Sequence, residues 1–287
     1  MIVDEFSFKH PDNQHRKRLS RILPLDSSDP KYVEVEKLFF KGWCHLDKQK
    51  PEIRGVFKIL SPDESLEPYV YYRSQVQAFN LLSRYKKGAN EQLCFHGTRR
   101  LCALGEDSSK VYLCDFPGCS ICGIIRNSFD VGKCGDAHSF KRFGNGIYTT
   151  SCASKADDYS SIGRSNCQHL NRNSRILLLN RVVVGKPHHR RQNGTHMSQP
   201  PPGFHSVIGL PGVDLNYEET VVYRNDAIRP AYLVVYGPPV EPEGTFKRNI
   251  FIPNPLGNPV DSQQPMARGL FKAHAMLSAL FNTPLAV

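Results

Sequence analysis

The stretch Cys94-Phe95-His96-Gly97-Thr98-Arg99 decides the fold of this chain. Its apolar half predicts a short buried strand, and the polar residues after it predict a turn at the end of that strand. Two later stretches share this layout of a strand-like run beside glycine or polar residues. They are Phe143-Gly144-Asn145-Gly146-Ile147-Tyr148 and Tyr217-Glu218-Glu219-Thr220-Val221-Val222-Tyr223. Each stretch alone is a weak signal, so the information lies in the order of the three.

The composition is that of a globular protein. The 287 residues are 40% hydrophobic and 22% charged, with 21 prolines and 21 glycines, and this favours a loop-rich, strand-rich fold. The net charge of +10 predicts polyanionic neighbours, either nucleic acid or a phosphate-bearing cofactor. One basic cluster, Lys186 to Arg191, follows a predicted strand, and we expect it to contact phosphates or an acidic acceptor.

Targeting signals are absent from the sequence pattern. The first residues lack the apolar run of a secretory signal, and no apolar run reaches the ~18 residues of a membrane helix. We therefore expect an intracellular protein, cytoplasmic or nuclear, with no membrane partner. In such a reducing compartment the nine cysteines are expected to be thiols or metal ligands and not disulfides. The oligomeric state stays open.

The pattern divides the chain into three regions. Residues 1–30 predict a flexible basic arm, residues 31–237 a folded domain, and residues 238–287 a proline-rich extension that ends in a helix from Met266 to Phe281. Two amphipathic helices are predicted early in the domain, from Tyr32 to Trp43 and from Tyr72 to Tyr85, the second with a buried stripe of Tyr72, Val76, Phe79 and Leu82. Short β-rich runs predominate afterwards, including one at Val111 to Cys114. Closely spaced strands with few helices between them indicate an α+β domain with antiparallel sheets.

Five segments together resemble the poly(ADP-ribose) polymerase catalytic domain family. The three stretches quoted above occur in the family's order, and Ser154 to Tyr159 and Pro202 to Gly209 match two further family segments. The resemblance runs from about Tyr32 to Gly237. It implies an ADP-ribosyltransferase fold, in which mostly antiparallel sheets form a cleft for NAD and two helices precede them. It also implies that NAD is the substrate and that ADP-ribose is transferred.

The resemblance assigns roles to residues in the cleft. His96 would bind the adenosine-side ribose, and the backbone of Gly97 would meet the nicotinamide carboxamide. Tyr148 would lie beside the nicotinamide ribose, Tyr159 would stack on the nicotinamide ring, and Glu219 would accept a hydrogen bond from the ribose 2′-hydroxyl. His96, Tyr148 and Glu219 form the implied catalytic triad. Thr98 and Arg99 complete the predicted cofactor-binding set, which contains His96, Gly97, Thr98, Arg99, Tyr148, Tyr159 and Glu219.

The chemistry explains why one carboxylate suffices. Cleavage between nicotinamide and ribose passes through an oxocarbenium-like transition state. Because the nicotinamide ring is already cationic while it is bonded to the ribose, it leaves without a general acid. Glu218 is the rival to Glu219, but neighbouring strand residues face opposite sides, so only one can face the cleft. Counting back from Tyr223 as in the family selects Glu219. One departure is Ala156, where the family usually has a carboxamide-binding serine; Ser154 could replace it only if the local backbone differed.

A cysteine-rich insertion of about residues 100–140 separates His96 from Tyr148. Cys102, Cys114, Cys119 and Cys122 are the predicted ligands of a structural zinc, because Cys119 and Cys122 form a CxxC pair and four thiolates suit tetrahedral zinc. Cys134 or His138 could replace Cys102. Unpaired buried thiols and a redox or disulfide role are the alternatives.

The leading functional prediction is an ADP-ribosyltransferase with a protein or nucleic-acid acceptor. The resemblance implies that a glutamate at position 219 permits chain elongation without requiring it, so single transfer and polymer formation both stay open. Two alternatives remain. One is an NAD glycohydrolase, in which water replaces the acceptor. The other is a non-catalytic module that binds nucleotide or nucleic acid.

Overall fold

The computed structural model describes residues 20–83, 85, 87–135, 141–162, 171 and 173–239. Residues 1–19 of the predicted arm, His138, and the proline-rich extension with its predicted helix beyond residue 239 lie outside the described residues. The last part of the predicted arm belongs to the folded domain. Arg21–Pro24 forms the first strand and pairs with residues 57–60, because Ile22 is buried in the core.

The described elements are eleven strands and four α-helices. The strands are β1 (Arg21–Pro24), β2 (Glu52–Leu60), β3 (Glu91–His96), β4 (Arg99–Arg100), β5 (Ile147–Thr149), β6 (Ser161–Ile162), β7 (Arg175–Val183), β8 (Pro187–Arg190), β9 (Ser206–Gly209), β10 (Glu219–Val222) and β11 (Ile228–Gly237). The helices are α1 (Pro30–Lys41), α2 (Asp63–Leu82), α3 (Ser120–Asn127) and α4 (Ala153–Asp158), with 3₁₀ turns at Val131–Lys133 and Asn225–Ala227.

A five-stranded antiparallel sheet forms the centre of the domain. Its strand order is β1-β2-β11-β7-β3. Strand β7 is a nearly continuous apolar run, as expected of a strand that is covered on both faces. Helices α1 and α4 pack in the core on one side, in a cluster that contains Phe39 and Ala156, whereas α2 and α3 contribute Tyr72 and Ile121 to a second cluster.

A four-stranded sheet adjoins the first and carries the third sequence stretch. Its order is β5-β10-β9-β8, antiparallel except for the parallel pair β9–β8. The two sheets meet where Phe95 and Thr150 exchange backbone hydrogen bonds of 2.7 and 3.1 Å. This junction places the end of β3, with His96, beside β5, with Tyr148.

The predicted α+β class with mostly antiparallel sheets is confirmed. The second helix is longer than predicted, because it begins at Asp63. Of its predicted buried stripe, Tyr72 and Val76 are buried, whereas Phe79 and Leu82 are 45% and 84% exposed. The predicted strand at Val111 to Cys114 is wrong: this segment is an irregular loop within the cysteine-rich insertion. Among the described residues, no helix is long and apolar enough to cross a membrane.

Candidate active site

His96 lies at the end of β3 and is fixed by a backbone carbonyl. Its Nδ1 is 2.9 Å from the oxygen of Tyr148, so Nδ1 carries the proton and Nε2 is left as an acceptor. The ring of Phe129 meets the imidazole edge-to-face, with 5.0 Å between ring centroids. Burial lowers the pKa of His96 below its usual 6.5. A neutral imidazole with a free acceptor suits a hydroxyl donor better than an anion.

Tyr148 has its hydroxyl held by the preceding loop. The hydroxyl accepts from the backbone N–H of Phe143 at 2.9 Å and donates to the carbonyl of Gly144 at 2.8 Å. Burial, as the main cause, raises the pKa of Tyr148. Both hydrogen-bonding roles of the phenol are therefore used within the protein. Tyr148 pairs with Val221 in β10, which places it beside Glu219.

Glu219 is the buried carboxylate of the site. Its Oε1 is 2.8 Å from Nζ of Lys155, and the side chains of both residues are largely buried. Its Oε2 is also buried and has no hydrogen-bond partner among the described residues. Glu218 is half-buried instead, and its backbone carbonyl accepts from the Thr150 hydroxyl at 2.6 Å. Glu219, at the start of β10, is therefore enclosed, whereas Glu218 just before the strand is only partly buried.

Lys155 lies next to Glu219, although the sequence analysis assigned it no role. It lies on α4, and its ammonium also donates to the carbonyl of Tyr217 at 2.8 Å. Burial lowers the pKa of Lys155, and the neighbouring Glu219 opposes that shift. The signal that could have found Lys155 was its position within the family segment Ser154 to Tyr159.

Arg142 approaches Glu219 from the other side. Its Nε lies 4.0 Å from Oε2 of Glu219, and its Nη1 donates to the side chain of Asn193 at 2.9 Å. Asn193 also accepts from Arg190 through its carbonyl and donates its N–H to Asp214. The Glu219 carboxylate thus has one cation near each of its two oxygens. Sequence reasoning missed Arg142 because it lies just outside the matched stretch that begins at Phe143.

Gly97 is required by packing. A Cβ atom at this position would overlap the carbonyl oxygen of Ala156 and lie 2.9 Å from the backbone nitrogen of Ser160. The turn after β3 therefore rests directly on α4 and the residues after it. The sequence analysis predicted a glycine here for close approach of the ligand, and packing against α4 is a second, separate reason.

The residues around α4 differ in what they offer a ligand. Tyr159 is 42% exposed at the end of the helix, as a lid residue would be. Ala156 is buried among core residues. The Ser154 hydroxyl is fully engaged: it accepts from the backbone N–H groups of Cys44 and His45 at 2.8 and 3.1 Å. Ser154 therefore cannot replace the serine that the family usually has at position 156.

Four cysteines of the insertion meet at one point. The sulfurs of Cys102, Cys114, Cys119 and Cys122 all lie within 4.8 Å of one another. Cys102 is 3.8 Å from Cys119 and 3.5 Å from Cys122, close to the ~3.8 Å expected between thiolates that share tetrahedral zinc at ~2.3 Å. Hydrogen bonds from the Cys102 and Cys122 thiols lower the pKa of Cys119. The residues present therefore fit zinc.

Cys134, the other candidate ligand among the described residues, lies outside the cluster. The sulfur of Cys134 lies 3.8 Å from the carbonyl oxygen of Gly144, and His138 is outside the described residues. Arg99, predicted to bind the cofactor, instead donates through Nε to the carbonyl of Gly118 at 3.0 Å, beside the cluster. The carbonyl of Thr98 accepts from the N–H of Ser161 at 3.4 Å. Cofactor contacts by these two residues remain predictions.

Residues 49–214 match the family model described as the poly(ADP-ribose) polymerase catalytic domain. The chain belongs to this family. The matched segment contains His96 and Tyr148 and ends shortly before Glu219. The chain is also 25% identical over 221 residues to "Poly [ADP-ribose] polymerase 1" of Oryza sativa subsp. japonica. That alignment covers 76% of this chain and only 19% of the relative, so the family relationship is shown for the catalytic region alone.

Proposed function

We propose that the chain is an NAD-dependent ADP-ribosyltransferase, which breaks the nicotinamide–ribose bond and passes ADP-ribose to an acceptor. The observation that carries this proposal is the state of Glu219. Its carboxylate is buried and paired through Oε1 with Lys155 at 2.8 Å, while Oε2 is buried without a hydrogen-bond partner among the described residues. A buried acceptor atom of this kind is costly unless a ligand satisfies it.

The ribose 2′-hydroxyl of NAD is the donor that fits Oε2. With this hydrogen bond, the carboxylate lies near the positive charge that develops on the ribose as nicotinamide leaves. The electron pair of the breaking bond goes to the nicotinamide nitrogen, and neutral nicotinamide departs without needing a proton. A fixed charge of this kind contributes about 10²–10³-fold to the rate in other enzymes. Lys155 holds the carboxylate in place through its other oxygen.

The remaining residues bind the donor. The Nε2 atom of His96 is set to accept from the adenosine-side ribose, since Nδ1 is used by the Tyr148 carbonyl. Gly97 provides backbone groups for the carboxamide, and Tyr148 forms a wall beside the nicotinamide ribose. The exposed ring of Tyr159 can close over the nicotinamide ring. Ala156 lacks the usual hydroxyl, and the loss of one such hydrogen bond weakens NAD binding by about 0.5–1.5 kcal/mol.

The experiment is incubation of the full chain with adenylate-labelled NAD and cell extract, with free nicotinamide and macromolecular label both quantified. Transfer predicts nicotinamide release together with labelled macromolecules. Nicotinamide release with free ADP-ribose as the only labelled product would establish a glycohydrolase instead. Retained NAD binding without any release would establish a non-catalytic module and overturn the proposal.

We also propose that Cys102, Cys114, Cys119 and Cys122 hold a structural zinc. Support comes from the convergence of the four sulfurs and from the backbone N–H of Leu101, which points at the Cys119 sulfur at 3.4 Å. Cys119 and Cys122 also lie at the amino end of α3, where the helix dipole favours thiolates. When bound, the metal would fix the insertion and not take part in the chemistry.

Metal analysis of the purified full chain tests the zinc site. About one equivalent of zinc is expected in the parent protein, and Cys119→Ser should lose most of it. Cys134→Ser is the matched control, because this cysteine lies in the same insertion but outside the cluster, and it should keep the metal. Less than half an equivalent in folded parent protein would refute the site.

A further inference from the structure

The cysteine-rich insertion returns to the donor side of the cleft through Phe129. This residue follows α3, is only 5% exposed, and lies in the same buried cluster as Cys119 and Cys122. Its ring meets the imidazole of His96 edge-to-face, with 5.0 Å between the ring centroids and 90° between the ring planes. The insertion is therefore in direct contact with a residue that the proposed function places on NAD.

The contact with Phe129 restricts a movement that the hydrogen bond of His96 leaves open. The bond from Nδ1 to the Tyr148 carbonyl fixes one end of the imidazole, but the ring can still tilt about that bond. Such a tilt moves Nε2, the atom proposed to accept from the ribose, and hydrogen bonds weaken steeply once their angle is poor. An edge-to-face neighbour favours one arrangement of the two ring planes, and this fixes the direction in which Nε2 points.

The backbone before Phe129 adopts a conformation that residues other than glycine rarely take. Ser128 has φ 64° and ψ −171°, a region that is almost exclusive to glycine. Its N–H donates to the carbonyl of Ile124 at 2.8 Å, and its hydroxyl donates to the carbonyl of Ile228 at 3.3 Å. Strained backbone of this kind persists only where the surroundings hold it. Here it turns the chain sharply from the end of α3 into the position of Phe129.

The backbone after Phe129 is also fixed at the start of β11. The N–H of Val131 donates to the side chain of Asn225 at 2.8 Å, and Asn225 opens the 3₁₀ turn that leads into β11. Ile228, which accepts from Ser128, is the first residue of that strand. Both flanks of Phe129 are thus attached to the same part of the central sheet, so the fold sets where its ring lies.

The cysteine cluster fixes the other end of α3. Cys119 is the residue just before the helix and Cys122 lies in its first turn, so two of the four converging sulfurs are attached to it. The helix has only eight residues, too few to be stable without tertiary contacts. Its position therefore depends on the cluster at one end and on the strained turn at the other. A shift of α3 would be passed on to Phe129.

We propose that Phe129 is a positioning residue for His96, and that the cysteine-rich insertion thereby sets the affinity of the cleft for the adenosine half of NAD. This inference rests on the proposed donor role of His96. The carboxylate proposed for the nicotinamide side belongs to other elements, because Glu219 begins β10 and is paired with Lys155 of α4. Disturbance of Phe129 should therefore weaken binding of the adenosine half and leave nicotinamide binding unchanged.

The test measures binding of two probes to the full chain by calorimetric titration: ADP-ribose, which carries the adenosine half, and free nicotinamide. Phe129→Ala should weaken ADP-ribose binding about threefold to tenfold, the range of an aromatic edge-to-face pair, and should leave nicotinamide binding within about twofold of the parent. Phe129→Leu keeps most of the buried volume and should weaken ADP-ribose binding in the same direction. Phe116→Ala is the matched control, since this phenylalanine lies in the same insertion but is 51% exposed; it should bind both probes as the parent does.

A double-variant cycle shows whether Phe129 acts through His96. With His96→Ala as the background there is no imidazole to orient, so the addition of Phe129→Ala should cause little further loss of ADP-ribose affinity. Equal losses in the two backgrounds, or equal weakening of both probes by Phe129→Ala, would show a merely structural role and overturn the proposal. Unchanged ADP-ribose binding by Phe129→Ala and Phe129→Leu would overturn it as well.

The link to the cysteine cluster is tested with the same two probes. Cys119→Ser should weaken ADP-ribose binding in the same direction as Phe129→Ala, whereas Cys134→Ser, outside the cluster, should not. Equal ADP-ribose binding by the parent and Cys119→Ser would overturn the link between the cluster and the cleft.

Failure of the proposed function gives a different result from failure of this inference. Parent protein that binds both probes but releases no nicotinamide from NAD would overturn the transferase, while the comparison of Phe129 variants would still decide the positioning role.

Discussion

Lys155→Met removes the ammonium that pairs with Glu219 while it keeps an apolar side chain of similar length. The two side chains are each about nine-tenths buried, and their charged atoms are 2.8 Å apart. Loss of one partner leaves a buried carboxylate uncompensated, at a cost of about 3–5 kcal/mol. In a domain of this size that cost corresponds to a fall in Tm of roughly 6 to 20 °C.

The assay is urea unfolding of four proteins: parent, Lys155→Met, Glu219→Gln and the double variant. Because glutamine carries no charge, the double variant should regain at least half of the stability that Lys155→Met loses. Lys31→Met is the control, since Lys31 and Glu34 form a pair of similar separation, 2.7 Å, but with side chains that are 60% and 46% exposed; it should leave the stability nearly unchanged. A cost for Lys155→Met no larger than that of the control would refute the reasoning.

Three further changes test the surroundings of the site. Gly97→Ala puts a methyl group against the Ala156 carbonyl and should cost about 1–3 kcal/mol, read by thermal unfolding; unchanged stability would contradict the packing. Ser154→Ala leaves the N–H groups of Cys44 and His45 unpaired, which should cost about 1–3 kcal/mol of stability each. It should also raise KM for NAD, because α4 is held less firmly. An unchanged KM would show that α4 does not contribute to NAD binding. Burial lowers the pKa of His96, so the unfolded chain binds the extra proton first and stability should fall as pH drops below about 6.5. His96→Gln should lose less stability between pH 7.5 and 5.5, and an equal loss would refute the assignment.

The central strands could be predicted because their signals are local, whereas the proximity of His96, Tyr148 and Glu219 could be predicted only from the order of three stretches. A buried strand such as β7 is a nearly continuous apolar run, and Glu219 is buried at the start of β10 while Glu218 just before it is only half-buried. The cysteine cluster was predictable for a similar reason, since two of its members form a CxxC pair.

What the sequence does not reveal are contacts between distant segments. Arg142 meets Asn193 across 51 positions, and Ser154 meets Cys44 across 110, and neither pairing has a local pattern. The Val111 to Cys114 run has the β-rich composition of a strand, but the neighbouring cysteines converge and hold it as a loop. The exposed Phe79 and Leu82 fit the helical period as well as Tyr72 does, so periodicity alone could not tell which side of α2 is covered.

The most direct test of the central claim is the rate of nicotinamide release from NAD by the parent protein, Glu219→Gln and Glu218→Gln. Loss of the buried carboxylate should lower the rate by about 10²–10³-fold or more, while Glu218→Gln, its half-exposed neighbour, should stay within about twofold, since changes to such side chains are usually minor. Equal losses in the two variants, or a Glu219→Gln rate close to that of the parent, would contradict the assignment of Glu219 as the residue that drives NAD cleavage.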